Sequence, residues 1–345
     1  MHWKQELYVA AVGTALASPA SAESDVAAGR MTAERRAQLD YVSVRVSSDE
    51  AAADLAVRAG RAAVRQSGLD PQDIRLVLHS RLWFQGLDMW VAASYVAAGA
   101  VGAHPVAFDV QQRSNPRLGT LEMAAACLTA GPSAVTTALL TTGDRFAAPA
   151  IDRWNSQEVC AYGEGETALL LSSRARFARL LATVTLADNT LGPAGRGNEL
   201  FADAPGGKVP VPLLQRAEDY ASSPASDGSD DRLLSRSADS ALADADTSVD
   251  DHACAVLPAT HRGNGRYEFH HLLGLPEERT TWDFGRRTGH LGTGDQFGGL
   301  AHLLEEGNLA PGGRVLPYAG GAGYTCTAAV IEMTGTVRAP WEWQV

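Results

Sequence analysis

The chain has 345 residues, 45% of them hydrophobic, enough to bury a large core as one big domain or as two packed halves. A net charge of −11 with no basic cluster argues against nucleic acid as the main partner. No apolar run reaches the roughly eighteen residues a membrane span needs. The only lysines, Lys4 and Lys208, lie outside any Gly-rich phosphate loop, which excludes a Walker-type NTPase and argues against Schiff-base chemistry.

Leu7 to Ala22 ends in Ala-Ser-Ala before Glu23, as a signal peptide would, but Glu6 weakens the charged flank and Gly13 and Thr14 interrupt the apolar stretch. The segment Leu7–Val12 is read instead as a first strand. Ala51 to Ser67 has the spacing of an amphipathic helix, with Arg58, Arg61 and Arg65 on its polar side and Gly68 at its end. Ile74–Leu78 reads as a buried strand, and Trp90 to Val101 as a helix rich in small residues.

Val106–Val110 is a further strand, followed by the short polar link Gln111-Gln-Arg-Ser114 and by helical spacing over Leu118–Leu128. Ser114 therefore sits at a strand-to-helix turn, where free N–H groups and the helix dipole favour developing negative charge. That suits a nucleophile whose carbonyl substrate becomes an oxyanion. A plain N-cap or loop serine fits the same local pattern. Cys127, on the same helix, reads as packed core rather than as a nucleophile.

Strands follow at Ala134–Leu140 and Thr167–Leu171, so the first half alternates strand and helix as an α/β protein with a layered, partly parallel sheet does. Leu191 to Asp251 is rich in Gly, Pro, Ser, Asp and Ala and reads as loops around one or two weak helices, with Ser222–Asp231 as a mobile surface segment or a linker. Order resumes at Cys254–Leu257. Two closing strands, Gly313–Pro317 and Ala328–Met333, flank the turn Gly320–Gly323. Cys127, Cys160, Cys254 and Cys326 are far apart with no CxxC pair, so neither zinc nor a disulfide framework is suggested, and a reduced cytoplasmic setting fits.

Several of these segments, in this order, resemble the ketosynthase III branch of the thiolase-fold enzymes. Ala107–Val110 is similar to the strand before the family's nucleophile, and Gly163-Glu-Gly-Glu-Thr-Ala168 to its GDGAGA turn, with Glu164 for the usual Asp. His261-Arg-Gly-Asn264 resembles the HQAN segment of the catalytic histidine, Gly289–Gly294 stands where the family has Gly-Asn-Thr-Ser, and Gly321–Thr325 resembles the terminal GGGFT turn. The likeness implies a thiolase fold of two similar βαβ-rich halves in an α-β-α-β-α arrangement. Residues 1–172 would carry the nucleophile and 173–345 the histidines, with an insertion near 191–251.

Two departures point the same way. The family nucleophile is cysteine and this chain has Ser114; the family asparagine is replaced by His290. A serine hydroxyl needs a base and a group to orient it, where a low-pKa thiol does not. His290 can be the base and Asp295, five residues on, its orienter. This pattern resembles the starter-unit enzymes of anthracycline polyketide pathways, of the daunorubicin type, which use a Ser-His-Asp set and propionyl-CoA.

The resemblance implies Ser114, His290 and Asp295 as catalytic residues, with His261 as the ordinary family histidine. It implies an oxyanion site at the N–H groups of Ser114 and Ala322 within Gly321 and Gly323, and contacts to CoA from Arg153, Trp154 and Asn264. It further implies a short acyl-CoA as substrate with no cofactor, an acyl carrier protein and a ketosynthase/chain-length-factor pair as partners, and a homodimer. The residues also permit plainer uses. Asp295 can cap the helix that runs through Leu303, His261 and Asn264 can be a solvated loop pair, and Arg153 can be a solvated arginine. His290 can be a surface group of its Gly-rich turn. His270 and His271 read as helix surface, and Trp83 and Trp90 as core or acyl-pocket residues.

Overall fold

The computed structural model describes residues 2–130, 135–174, 177–203, 208–260 and 269–335; His261, Asn264 and the end of the chain lie outside them. In chain order the strands are β1 (His2–Leu16), β2 (Ser18–Ser21), β3 (Ser43–Val46), β4 (Ile74–Ser80), β5 (Val106–Val110), β6 (Thr137–Thr142), β7 (Gly165–Ser172), β8 (Ala178–Ala187), β9 (His252–Val256), β10 (Arg314–Gly321) and β11 (Thr325–Met333). The helices are α1 (Ala22–Ala27), α2 (Ala33–Leu39), α3 (Ala52–Ser67), α4 (Ala92–Ala100), α5 (Pro116–Thr129), α6 (Pro193–Arg196), α7 (Leu213–Ala221), α8 (Ser229–Asp244), α9 (Phe269–Leu272), α10 (Trp282–Thr288) and α11 (Asp295–Glu305).

Among the described residues nine strands form one mixed sheet in the order β5-β4-β6-β7-β1-β8-β11-β10-β9. Strands β4, β5 and β6 run parallel, as βαβ crossovers demand; β7 pairs antiparallel with β6, and β1 pairs antiparallel with β7. Strand β7, Gly-Glu-Thr-Ala-Leu-Leu-Leu-Ser, is buried along its whole length, which is why its apolar run is continuous rather than alternating. Strand β1 joins the two parts of the sheet, pairing β7 over Tyr8–Leu16 and β8 at His2 and Leu7–Val9.

The sheet's two parts enclose a middle helical layer. Leu118, Leu121, Ala125 and Leu128 of α5 pack in one core with Phe297, Leu300, Ala301 and Leu304 of α11, between strands from both parts. Outside, α3 and α4 bury Leu55, Ala59, Ala63 and Ala97 against β1, β4, β6 and β7. On the far side α8 buries Leu233, Leu234, Ala238, Ala241 and Leu242 against β10 and β11. The order α-β-α-β-α is the layered thiolase architecture expected from the sequence.

The stretch read as loops around weak helices is more ordered than its composition suggests. Helix α8 spans sixteen residues and is a full outer layer; its buried positions recur at helical spacing, but several are alanine or serine, so the apolar stripe is faint. Strand β8 has no counterpart in the reading above, because its residues are only partly buried beyond Thr183 and its alternation is weak. Among the described residues no helix is long and apolar enough to cross a membrane.

Candidate active site

The turn that follows β5 is bent at Arg113, whose φ of 52° lies in the left-handed region that a long side chain seldom adopts. It delivers Ser114 just ahead of α5, with Asn115 as N-cap and Pro116 at the first helical position, where its missing N–H costs nothing. Asn115 makes no capping bond with its side chain. Its Nδ2 donates instead to Thr325 Oγ1 at 2.9 Å and Thr327 Oγ1 at 3.0 Å on β11, which ties the nucleophile turn to the second part of the sheet.

The glycine-rich end of β10 meets this turn at close range. A Cβ on Gly321 would fall 2.4 Å from the Gln112 carbonyl oxygen and 2.9 Å from the Asn115 nitrogen. Only glycine permits that approach. Gly321→Ala is therefore expected to push the two turns apart, costing about 1–3 kcal/mol of stability in a denaturant melt and lowering the rate of any acyl transfer at Ser114.

His290 is set by glycines on both sides, Gly289 at φ 76° and Gly292 at φ 62°. Its backbone N–H donates to Ala161 O at 2.8 Å, and its carbonyl accepts from Gly163 N at 3.0 Å. Gly163 is needed there, since a Cβ would sit 2.0 Å from the Thr288 carbonyl oxygen. The stretch that resembles GDGAGA thus forms the wall behind the histidine. Glu164, buried within it, accepts from the Ser47 N–H at 2.8 Å and pairs with Arg153 at 2.5 Å.

Three side chains then line up. Ser114 Oγ lies 3.3 Å from His290 Nε2, and His290 Nδ1 lies 2.5 Å from Asp295 Oδ2. The bond is long on the hydroxyl side and short on the carboxylate side. Asp295 opens α11 and also accepts the N–H groups of Ala259 and Leu291, both at 2.8 Å. Burial alone would raise its pKa, but the adjacent His290, the hydrogen bond from that ring, Arg117 and the Ala259 amide outweigh burial and hold it below the ordinary carboxylate value. Ser114 is half-buried, while His290 and Asp295 are buried, so solvent reaches the hydroxyl end of the chain and not the carboxylate end.

Asp144 is a structural contributor that sequence reasoning passed over. It is fully buried after β6 and accepts from the N–H groups of Leu82 and Trp83, and from both the N–H and hydroxyl of Thr293. It latches the loop after β4 to the turn that carries His290. Burial raises its pKa to about 6, against those hydrogen bonds.

The expected CoA contacts fare differently. Trp154 is core: its side chain is 2% exposed and its indole N–H donates to Asp25 at 2.5 Å, so it has no face left for a ligand. Arg153 turns its guanidinium inward, to Glu164 and to the Tyr162 carbonyl at 2.8 Å, so its charge is paired within the protein rather than presented to a phosphate. Both corrections come from tertiary pairing that no local pattern reveals. Trp90 packs with Ala53, Val57 and Val96 in the outer layer, and Trp83 lies partly buried among the residues around Phe146 and Tyr162. Cys127, expected in the core, is exposed. Ala322 and Gly323 occupy the turn beside Gly321, and His261 and Asn264 fall outside the described residues.

Residues 242–333 match the C-terminal part of the 3-oxoacyl-[acyl-carrier-protein] synthase III family. Among solved structures, ChlB3, an acyltransferase, is 30% identical with a TM-score of 0.89, the alignment covering 96% of this chain and 99% of that one. The 3-oxoacyl-(acyl carrier protein) synthase III of Pseudomonas aeruginosa PAO1 aligns at 21% identity and TM-score 0.76 over 97% of this chain and 100% of its own. The corresponding synthase of Aquifex aeolicus VF5 aligns at 16% identity and TM-score 0.76 over 94% and 99%. No curated protein sequence matches. With the layered fold and the place of its Ser, His and glycine turns established, the chain belongs to the ketosynthase III-like family of thiolase-fold proteins.

Proposed function

We propose that the protein is an acyl-CoA-dependent acyltransferase that loads a short starter acyl group, propionyl first among the candidates, onto Ser114 and passes it to an acyl carrier protein in type II aromatic polyketide assembly. The observation that carries this reading is the hydrogen-bonded series Ser114–His290–Asp295, in which a serine has the base and orienting carboxylate that an alcohol nucleophile needs.

In the proposed reaction Ser114 Oγ attacks the thioester carbonyl while its proton passes to His290 Nε2. Asp295 holds the ring with Nδ1 protonated and offsets the imidazolium charge. The oxyanion takes the N–H groups of Ser114 and Ala322, each worth about 3 kcal/mol. The C–S bond then breaks, His290 returns its proton to the departing thiolate, and free CoA leaves an acyl-serine ester. A carrier thiol reverses these steps: it gives its proton to His290, takes the acyl group and restores the serine. His261 is assigned no step.

Transfer without carbon–carbon bond formation is favoured over decarboxylative condensation with malonyl-carrier protein, or over transfer to a sugar hydroxyl with the same acyl-serine. An oxyester is less activated than a thioester toward a carbanion, and the 30% identical relative is itself an acyltransferase. Intact-mass measurement of the purified protein mixed with propionyl-CoA tests the reading. An adduct on the peptide carrying Ser114, discharged by a holo-carrier protein, supports it; the unmodified mass at every time point sinks it. A β-ketoacyl product with malonyl-carrier protein identifies condensation instead.

A homodimer completes the proposal. Strand β5 is one of the two outer strands of the nine and exposes Val106 and Phe108 by more than half, with Phe84, Leu87, Met89 and Val91 also exposed. An unprotected edge flanked by apolar side chains fits pairing across a two-fold axis. Phe108→Asp is expected to give monomer in sedimentation velocity where the unaltered chain gives dimer. The four cysteines are free thiols, which suits a reduced cytoplasmic compartment.

A further inference from the structure

Arg117 is among the largest fully buried side chains of the molecule, and all three of its guanidinium nitrogens lack a hydrogen-bond partner among the described residues. It lies on the first turn of α5, three residues after Ser114, within the middle layer. Its guanidinium carbon stands 5.9 Å over the ring of Phe297, two residues beyond Asp295 on α11. An unpaired charge in such a place weakens a fold, and an apolar side chain of similar volume usually packs there at no loss. The attraction of the Phe297 ring offsets a part of the desolvation only. Packing and hydrogen bonding alone therefore do not account for Arg117.

We propose that Arg117 is a positioning residue for the acyl-transfer site: its buried guanidinium forms the positive end of the Ser114–His290–Asp295 series and acts through Asp295. The inference rests on the reading of that series as the acyl-transfer machinery. The carboxylates whose fields reach Arg117 are Asp295 and Asp144. Burial lowers the Arg117 pKa to about 10, so it remains charged across the neutral range. Asp295 in turn feels His290 from the preceding turn, Arg117 from α5, Tyr41 from the segment after α2 and Cys160 from the loop before β7. Asp144 faces Glu166 of β7 and Tyr162 as well as Arg117.

Of these neighbours Arg117 is the one fixed cation near the carboxylate; Tyr41 and Cys160 are held neutral by burial. Removing the positive charge makes protonation easier at both Asp295 and His290. The neutral imidazole that Ser114 needs then persists only at higher pH, so the acid limb of the acylation rate moves upward.

Three variants test this: R117M, R117K and R117M combined with Asp295→Asn. Two readouts are used, the 15N titration of the His290 ring in the free protein, with the signal assigned by its loss in His290→Asn, and the pH profile of adduct formation with propionyl-CoA. R117M is expected to melt at or above the unaltered protein while its His290 titration and acid limb rise by about one unit, which is about a tenfold lower rate on the acid side. R117K is expected to bring both back, and in the Asp295→Asn background the R117M shift should shrink. R117Q replaces R117M if the latter does not fold. A His290 titration unmoved in R117M overturns the assignment, as does an undiminished shift with Asp295→Asn. The ring titration needs no substrate, so absence of any adduct on the unaltered protein counts against the catalytic reading alone.

Discussion

Ser114→Ala is expected to abolish the acyl adduct, with propionyl transfer falling by about 10⁴-fold or more while the fold is kept. The Ser114 side chain is half-buried and His290 is its one side-chain partner among the described residues, so its loss should leave the melting free energy within about 0.5 kcal/mol. What remains after its removal is binding and oxyanion stabilisation, with nothing to carry the acyl group. Ser114→Cys is the informative partner variant. A thiol at this turn sits beside an imidazole and ahead of a helix whose N-cap side chain is turned away toward β11, conditions that favour the thiolate. The variant should still acylate, now as a hydroxylamine-labile thioester, and carbon–carbon product from malonyl-carrier protein should rise relative to simple transfer. An adduct of equal yield on Ser114→Ala would show that another residue accepts the acyl group.

The second large effect is expected at Asp295. Its carboxylate accepts three donors, the His290 ring and the Ala259 and Leu291 amides. Asparagine has one acceptor oxygen and turns an NH2 group toward donors, so some contacts become repulsive and the His290 tautomer is no longer fixed. Asp295→Asn should lower the acylation rate by about 10³–10⁴-fold and cost about 1–3 kcal/mol of stability from buried groups left unpaired. The pH dependence of that stability has a definite sign. The folded pKa lies below the unfolded value near 3.9, so the carboxylate's contribution is whole above about pH 4 and is lost as the pH falls through the lowered value. In Asp295→Asn this acid-side loss disappears, which urea melts between about pH 2 and 7 will read directly.

Much of this architecture is legible in the sequence because the elements around the site have strong periods. Strands β4, β5 and β7 are apolar runs bounded by turn residues, and α3 carries a clean polar stripe of Arg58, Arg61 and Arg65. The resemblance of the chain's turns to the family's motifs implies Ser114, His290 and Asp295 as one constellation, and the three side chains do meet. Three things were not legible. Helix α8 reaches its outer layer with alanines and serines, so its apolar face is too weak to stand out from a polar stretch. Arg153 and Trp154 have the residue types of a ligand site, yet Arg153 turns to Glu164 across the intervening loop and Trp154 to Asp25 from the start of the chain, pairings that only the fold reveals. Arg117 shows itself in sequence as one of two charges, with Glu122, in an otherwise uncharged helix, but only packing reveals that its guanidinium is buried with no hydrogen-bond partner among the described residues.

The division of the site between the two parts of the sheet has a consequence for how the molecule can be taken apart. Ser114 arrives on α5 from the first part, while His290 and Asp295 come with α11 from the second, and the two helices share one core. A polypeptide severed between β7 and β8 would yield two fragments, each with its own strands and neither with a complete set of reactive groups. Recovered acyl-serine formation on mixing would then report the docking of one fragment on the other, making chemistry a gauge of assembly.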